Sequence, residues 1–273
     1  MGWGDELMVA GEARRIHEAR GGKVSILSRP GGIPLVSTLW RRVSYIAQPG
    51  ELATSTLIDS PGCRPYRASS DALGSTWREY SPMPAEIVFT EAELQFAEQF
   101  GSGFIVVEPH IKEERNGASN KNWGWQRFAD LVALRPDLRW LQLSVPDKAS
   151  LPGSRHVHTR SFREACAVLS RAAAYVGPEG GLHHACAAVG TPAVVIFGGY
   201  ISPKVTGYPG HANLFSGNGL GCGRNTKCEC SCMERILPKT VAEALTEELA
   251  RRAGNGPSNI FDEGSSCIEH NRT

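Results

Sequence analysis

With 273 residues, 41% hydrophobic and 21% charged, the chain can form one large domain or two modest ones, and it shows no collagen-like, coiled-coil or disordered bias. Lys and Arg number 29 against 28 Asp and Glu, a formal charge of +1. Binding driven by nucleic-acid charge is therefore disfavoured, since it calls for a basic excess or a basic stripe. No stretch reaches the apolar length that spans a bilayer. The opening Met1-Gly-Trp-Gly-Asp5-Glu6 places acids where a secretory leader carries positive charge. A cytoplasmic protein is expected, with peripheral membrane contact left open.

In chain order, Leu7, Val9, Ala10, Ala13 and Ile16 among charges predict an amphipathic helix from Glu6 to about Arg20. Gly21-Gly22 ends it, and a strand follows over Lys23–Ser28. After the loop Pro30–Pro34, a short helix is expected around Leu35–Trp40 and a strand at Val43–Ala47. Residues 48–85, rich in Pro, Gly, Ser and Thr, read as loops with one strand near Thr54–Ile58. Thr90 before Glu91 and Glu93 is a helix start, with a hydroxyl cap and acids at the positive end of the dipole; that helix runs to Phe100.

Beyond Gly101-Ser-Gly103 the alternation is regular. Strands are predicted at Phe104–Glu108, Trp140–Ser144, His156–His158, Ala174–Val176 and Ala193–Phe197. Helices are predicted at Trp125–Leu134, Phe162–Ala172, Leu182–Val189 and Thr240–Ala253. The run Ala193-Val-Val-Ile-Phe197 has no polar alternation, as befits a parallel strand covered on both faces. Strands alternating with helices predict a doubly wound, Rossmann-like lobe. The expected division is 1–95, 96–253 and a polar tail at 254–273.

The most informative segment is Tyr175-Val-Gly-Pro-Glu179-Gly-Gly-Leu-His-His184-Ala-Cys-Ala-Ala-Val-Gly190-Thr-Pro-Ala-Val-Val-Ile-Phe197-Gly-Gly199. It reads as strand, glycine turn, helix, connector and strand. Gly180 and Gly181 let a ligand approach the backbone, and free N–H groups at the following helix start favour a diphosphate. Glu179 falls at a strand's carboxyl end, where open α/β sheets bind ligands. A carboxylate would repel phosphate there, so sugar or ribose hydroxyls suit it better. A plain helix-start turn is the structural alternative.

This string resembles the donor-site motif of the heptosyltransferases, glycosyltransferase family nine, which runs Gly-Pro-Asp-Thr-Gly-Leu-x-His-x-Ala-Ala-Ala-x-Gly-Thr-Pro and then a strand ending Phe-Gly. Glu179 and Gly180 replace the family's Asp and Thr, while Gly181, Leu182, His184, Ala187, Gly190, Thr191, Pro192, Phe197 and Gly198 fit. Asn120-Lys-Asn-Trp-Gly-Trp-Gln-Arg-Phe128 is similar to the family's Lys-x-Trp-Pro-x-x-x-Phe, which puts Lys121 on its lysine. Ile105-Val-Val-Glu-Pro-His110 is similar to its strand and donor-binding loop. Gly4-Asp5-Glu-Leu7 is similar to its Gly-Asp-x-Leu.

The resemblance implies a GT-B fold of two Rossmann-type lobes with parallel sheets, the N-terminal lobe shortened. It implies a nucleotide-sugar donor, ADP-, UDP- or GDP-linked, held by Lys121, Glu179, Gly180, Gly181 and His184, with His110 lining the site. It also implies Asp5 as the base that deprotonates an acceptor hydroxyl, although a first-turn helix acid is the other role open to that residue. No cofactor or obligatory divalent metal is implied. The acceptor would be a surface glycan or lipopolysaccharide-like molecule; a hydroxylated nucleic-acid base, a protein, an epimerase activity and a non-catalytic nucleotide-binding module are the alternatives.

Cys63, Cys166, Cys186 and Cys267 are scattered and read as buried or incidental thiols. Cys222, Cys228, Cys230 and Cys232 crowd one stretch, where a structural zinc or iron centre competes with unligated thiols; the Cys-x-Cys-x-Cys spacing departs from the usual zinc pairs. Two departures from the family stand out. Its members carry a strand before Gly-Asp that has no counterpart here, and they carry an acidic residue after the strand equivalent to Trp140–Ser144, for which Asp147 is the nearest candidate.

Overall fold

The computed structural model describes residues 2–60, 62–71, 74–111, 119–143, 149–223 and 231–254. The chain opens with helix α1 (Trp3–Arg20), which Gly21 ends at a φ of 71°. The helix buries Leu7, Met8, Val9, Ala10 and Ala13. Behind it, β1 (Val24–Leu27) pairs in parallel with β2 (Ser55–Ile58), a small first sheet.

The helix expected at Leu35–Trp40 is instead a series of turns. Ser37 explains why: its hydroxyl accepts the Leu39 N–H at 3.1 Å and donates to the Glu6 carboxylate, a local arrangement that competes with helical bonding. The strand expected at Val43–Ala47 shrinks to one parallel bridge between Ile46 and Val24. Where only loops were expected, β3 (Arg67–Asp71) and β4 (Gly74–Trp77) form an antiparallel hairpin. Its sequence is polar apart from Trp77, which is buried against Tyr66 and Tyr200 and anchors the end of β4.

The remainder follows the alternating pattern. In order come α2 (Glu91–Glu98), β5 (Ile105–Val107), a single 3₁₀ turn (Ser119–Lys121), α3 (Trp125–Leu134), β6 (Trp140–Leu143) and β7 (Ser154–Val157). Then come α4 (Phe162–Ser170), β8 (Ala174–Pro178), α5 (Gly181–Val189), β9 (Ala193–Phe197), α6 (Pro203–Thr206), β10 (Ala212–Phe215) and α7 (Pro238–Gly254). Thr90 and Glu93 close a reciprocal capping box on α2. The turn α6 and the edge strand β10 carry no sequence signal that singled them out.

Six strands form one all-parallel sheet in the order β10-β9-β8-β5-β6-β7. Counted from β5, this is the 3-2-1-4-5-6 order of doubly wound folds. Side chains alternate along each strand between two cores. Phe104, Val106, Tyr175, Ala193, Val195 and Phe197 face the core shared with α1, α4 and α5. Ile105, Val107, Ala174, Val176, Val194 and Ile196 face α3 and α7. With helices on both faces, no strand needs a polar side, which is why these strands read as unbroken apolar runs. Among the described residues no helix is long and apolar enough to cross a membrane.

Arg163 on α4 ties the first part of the chain to this sheet. Its guanidinium donates to both Glu93 carboxylate oxygens at 2.6 and 2.8 Å, to the Thr38 carbonyl at 2.9 Å and to the Val88 carbonyl at 2.6 Å. The bonds from Arg163, outweighing partial burial, lower the Glu93 carboxyl from its ordinary 4.5 to about 2. A depressed folded-state value stabilises the fold above the unfolded value and loses that contribution as pH falls through the folded one. Arg163→Met should therefore cost about 3 kcal/mol at pH 7, as expected when one partner of a mostly buried pair is removed. Thermal melts across pH should show the gap to wild type narrowing as pH falls from about 4.5 towards 2. A gap that is flat with pH would refute the role given to this pair.

Candidate active site at the sheet switch point

Strand order reverses between β5 and β8, the place at which doubly wound sheets generally take ligands. Glu108 follows β5 and Glu179 follows β8. Glu179 is 7% exposed. It accepts a charged hydrogen bond from Lys121 through Oε2, and its Oε1 lies 3.5 Å from His184 Nε2. Burial opposes ionisation, but Lys121 and then His184 outweigh it and hold the carboxyl well below the usual range. The other ring nitrogen of His184 meets the Tyr208 hydroxyl at 3.0 Å. Lys121 Nζ also sits over the Tyr200 ring, 4.4 Å from its centroid.

The backbone explains how residues 58 positions apart meet. A Cβ on Gly198 would fall 1.9 Å from the Asn120 carbonyl oxygen, so only glycine lets the 3₁₀ turn carrying Lys121 lie against the end of β9. Asn120 adds a bond to the Gly223 carbonyl at 3.0 Å. The motif's Phe-Gly thus has a packing reason. Gly180 is different. It precedes α5 with a φ of 165°, an extended conformation open to any residue, and a Cβ there would meet nothing within 4 Å. Its missing side chain leaves open space rather than relieving strain.

The neighbour of Asp5, Gly4, comes to the same place, while the Asp5 carboxylate turns to the first part of the chain. Gly4 packs so closely that a Cβ on it would lie 2.9 Å from His184 Cδ2 and 3.6 Å from the Gly180 carbonyl carbon. Trp3 stacks on Phe162 at 5.3 Å. The Asp5 carboxylate is held by Arg64 at 2.6 Å and by the Tyr66 hydroxyl at 2.7 Å, and remains 37% exposed. Arg64 also bonds Asp59 at 2.9 Å. Asp5 does not cap α1; Gly2 occupies that position, and Asp5 lies in the first turn.

His110 stands at the adjoining strand end rather than on Glu179. Its backbone N–H donates to Glu108 at 2.7 Å, its ring stacks on Trp125 at 5.5 Å, and Nε2 lies 3.3 Å from the Ala149 carbonyl. Of the cysteine cluster, Cys222 is half-buried and Cys232 buried. Cys228, Cys230 and Asp147, like Cys267 and the tail beyond 254, lie outside the described residues.

Arg64, Tyr66, Tyr200 and Tyr208 were not singled out from sequence, whereas His183 was read only as a residue that could line the site. Tyr200 directly follows the Phe-Gly-Gly of the motif, and His183 precedes its histidine; those adjacencies were the available signals. Arg64 and Tyr66 lie where no pattern could be aligned.

The architecture is that of a GT-B-type α/β protein. Residues 159–235 match the model of glycosyltransferase family 9 (heptosyltransferase), and the heptosyltransferase-like resemblance read from the motif is borne out. Among solved structures, a glycosyl transferase family 9 protein from Veillonella parvula is 13% identical with a TM-score of 0.53, over 91% of this chain and 80% of that one. The Escherichia coli ADP-heptose LPS heptosyltransferase II is 18% identical with a TM-score of 0.47, over 61% and 54%. The iron-containing dodecameric glycosyltransferase TibC from enterotoxigenic E. coli is 13% identical with a TM-score of 0.44, over 67% and 52%. The chain thus spans about half the length of the last two. No curated protein matches it in sequence.

The two glycines should separate on substitution. Gly180→Ala is expected to melt within about 0.5 kcal/mol of wild type, the range of an unopposed surface change. Gly198→Ala, which drives a methyl into a carbonyl oxygen, should lose about 1–3 kcal/mol, the usual cost of overpacking. Equal melting temperatures for the two variants would remove the packing role of Gly198.

Proposed function

We propose that the protein is a glycosyltransferase that moves a sugar, heptose by resemblance, from a nucleoside-diphosphate donor to an acceptor hydroxyl. The observation that carries this reading is the Lys121–Glu179–His184 constellation beside the Gly180–Gly181 turn, at the start of α5 and at the sheet's switch point. The family match over residues 159–235 covers most of it.

In this reading the donor diphosphate lies against the N–H groups of the first turn of α5, where the helix dipole favours negative charge. Lys121 adds a cation at the leaving group, and Glu179 takes sugar or ribose hydroxyls. The acceptor oxygen attacks the anomeric carbon, the bond from that carbon to the diphosphate oxygen breaks, and the diphosphate departs with the electron pair. The acceptor proton goes to Asp5, which lies one residue from the Gly4 contact with His184 and Gly180. Arg64 and Tyr66 fix the carboxylate in position. Residues 1–95 would form the acceptor side and 96–253 the donor side. A surface glycan or lipopolysaccharide-like molecule is the acceptor that the resemblance favours, and ADP-, UDP- and GDP-sugars are the donors to compare.

Thermal stabilisation by ADP, UDP, GDP and their sugar conjugates tests the donor site. A ligand at a hundredfold its dissociation constant should add roughly 2.7 kcal/mol. The shift should be selective for one diphosphate and fall at least tenfold in apparent affinity in Lys121→Ala. No shift with any of them in a folded sample would overturn the reading in favour of a nucleotide-independent binding module. A shift without glycoside formation, or activity unchanged in Asp5→Ala, would remove the assigned chemistry alone.

A further inference from the structure

Beside the Lys121–Glu179–His184 constellation lies a buried side chain, His183, that the proposed transfer does not use. His183 is fully buried, and among the described residues neither of its ring nitrogens has a hydrogen-bond partner. Its ring is 4.7 Å from that of His184, 5.3 Å from Tyr208, 5.4 Å from His211 and 5.6 Å from Phe197. An imidazole buried with no partner on either nitrogen forfeits the hydrogen bonds it makes in water, which is costly enough that such groups call for an explanation. A phenylalanine in place of His183 would fill that aromatic surrounding without the cost.

One ligand atom from each of Glu179, His183 and His184 lies within 4.8 Å of the other two, and all three residues are buried. We propose that Glu179, His183 and His184 form a binding site for a divalent transition-metal cation of the zinc type. Two imidazoles and one carboxylate are a donor set that zinc accepts, at about 2.0–2.2 Å from each atom. Ligands at that distance in a tetrahedron stand roughly 3.4 Å apart, so binding would draw the three atoms together by about an ångström.

The carboxylate divides its two oxygens between the partners. Oε2 serves Lys121, and Oε1, already facing His184 Nε2, serves the cation. Tyr208 orients His184 from its far side, as the outer partner of a metal-bound imidazole does. The cation would tie the end of β8 to the first turns of α5, and the site stands whether or not the chain transfers a sugar.

Cobalt(II) tests this without any activity measurement, and it tells this site from the cysteine cluster. Full-length protein treated with a chelator should take up Co²⁺ and show visible d–d bands without the near-ultraviolet sulfur-to-metal band that thiolate ligands produce. His183→Phe should abolish those bands and weaken Co²⁺ binding at least ~tenfold, while keeping or raising the melting temperature of the metal-free protein. His183→Asn, smaller and polar, is the second variant should the first fail to fold. No cobalt spectrum, a spectrum with the thiolate band only, or a thiolate-free spectrum unchanged in both variants would overturn the site. A nucleotide-induced thermal shift that survives in His183→Phe would leave the donor site standing even then.

Discussion

The arrangement depends on keeping one negative charge out of water. Glu179 sits at the end of β8 with a side chain 6% exposed, and an unpaired carboxylate in such a place would cost several kcal/mol or take up a proton. Everything around it answers that cost. Lys121 supplies the opposite charge from a turn that can approach only because residue 198 is glycine. His184 supplies a second polar partner, with Tyr208 orienting it from behind. The helix α1 can pass over His184 only because residue 4 is glycine. Four separate parts of the chain are thereby committed to one carboxylate. The crevice above it is organised before any ligand arrives, and preorganised charge is what transition-state stabilisation requires.

A second consequence is electrostatic and comes from the helices themselves. The first turns of α1 and α5 converge, Gly4 against Gly180, so two positive dipole ends meet at one spot. The first turn of α1 carries Asp5 and Glu6, which answer its own dipole. The first turn of α5 carries no acid. Its N–H groups are therefore the ones whose charge is left for an incoming anion. The same asymmetry separates the two carboxylates: Glu179 is sealed by Lys121, whereas Asp5 is anchored at its edge by Arg64 and Tyr66 and stays accessible.

How legible this was from sequence differs by region, for physical reasons. From β5 onward the central strands β5, β6, β8 and β9 are buried, so their apolar runs and the helical periods between them coincide with the elements to within a residue or two, whereas the edge strand β10 and the short α6 were missed. The donor motif was legible for the same reason that it is rigid: glycines with close backbone neighbours and a strand–turn–helix leave little freedom in residue type. The first ninety residues were not legible in the same way. Ser37 diverts a helical pattern into turns, Ile46 pairs through a single bridge, and the hairpin at 67–77 is a mostly polar stretch without apolar alternation, anchored by the lone buried Trp77. Arg64 and Tyr66 come from that stretch, which is why the residues that hold Asp5 went unseen.

The pair of replacements at the turn, Glu179-Gly180 where the resembling family has Asp-Thr, has a coherent physical reading. A glutamate reaches one methylene further than an aspartate, and here that reach is used inward, towards Lys121 and His184, as its burial shows. A carboxylate drawn inward leaves less of itself in the crevice. At the next position a threonine would project a hydroxyl into the crevice, and the backbone would accept it without strain, since a Cβ at residue 180 meets nothing. Packing against the described residues therefore does not require glycine there. Both changes act in one direction: they withdraw side-chain atoms from the mouth of α5 and leave bare backbone N–H groups facing the opening. A site so altered relies more on main-chain and dipole contacts, which suit a diphosphate, and less on side-chain contacts, which tell one sugar from another. The part of the donor most tightly held would then be its diphosphate, with discrimination between sugars resting on residues further out in the crevice.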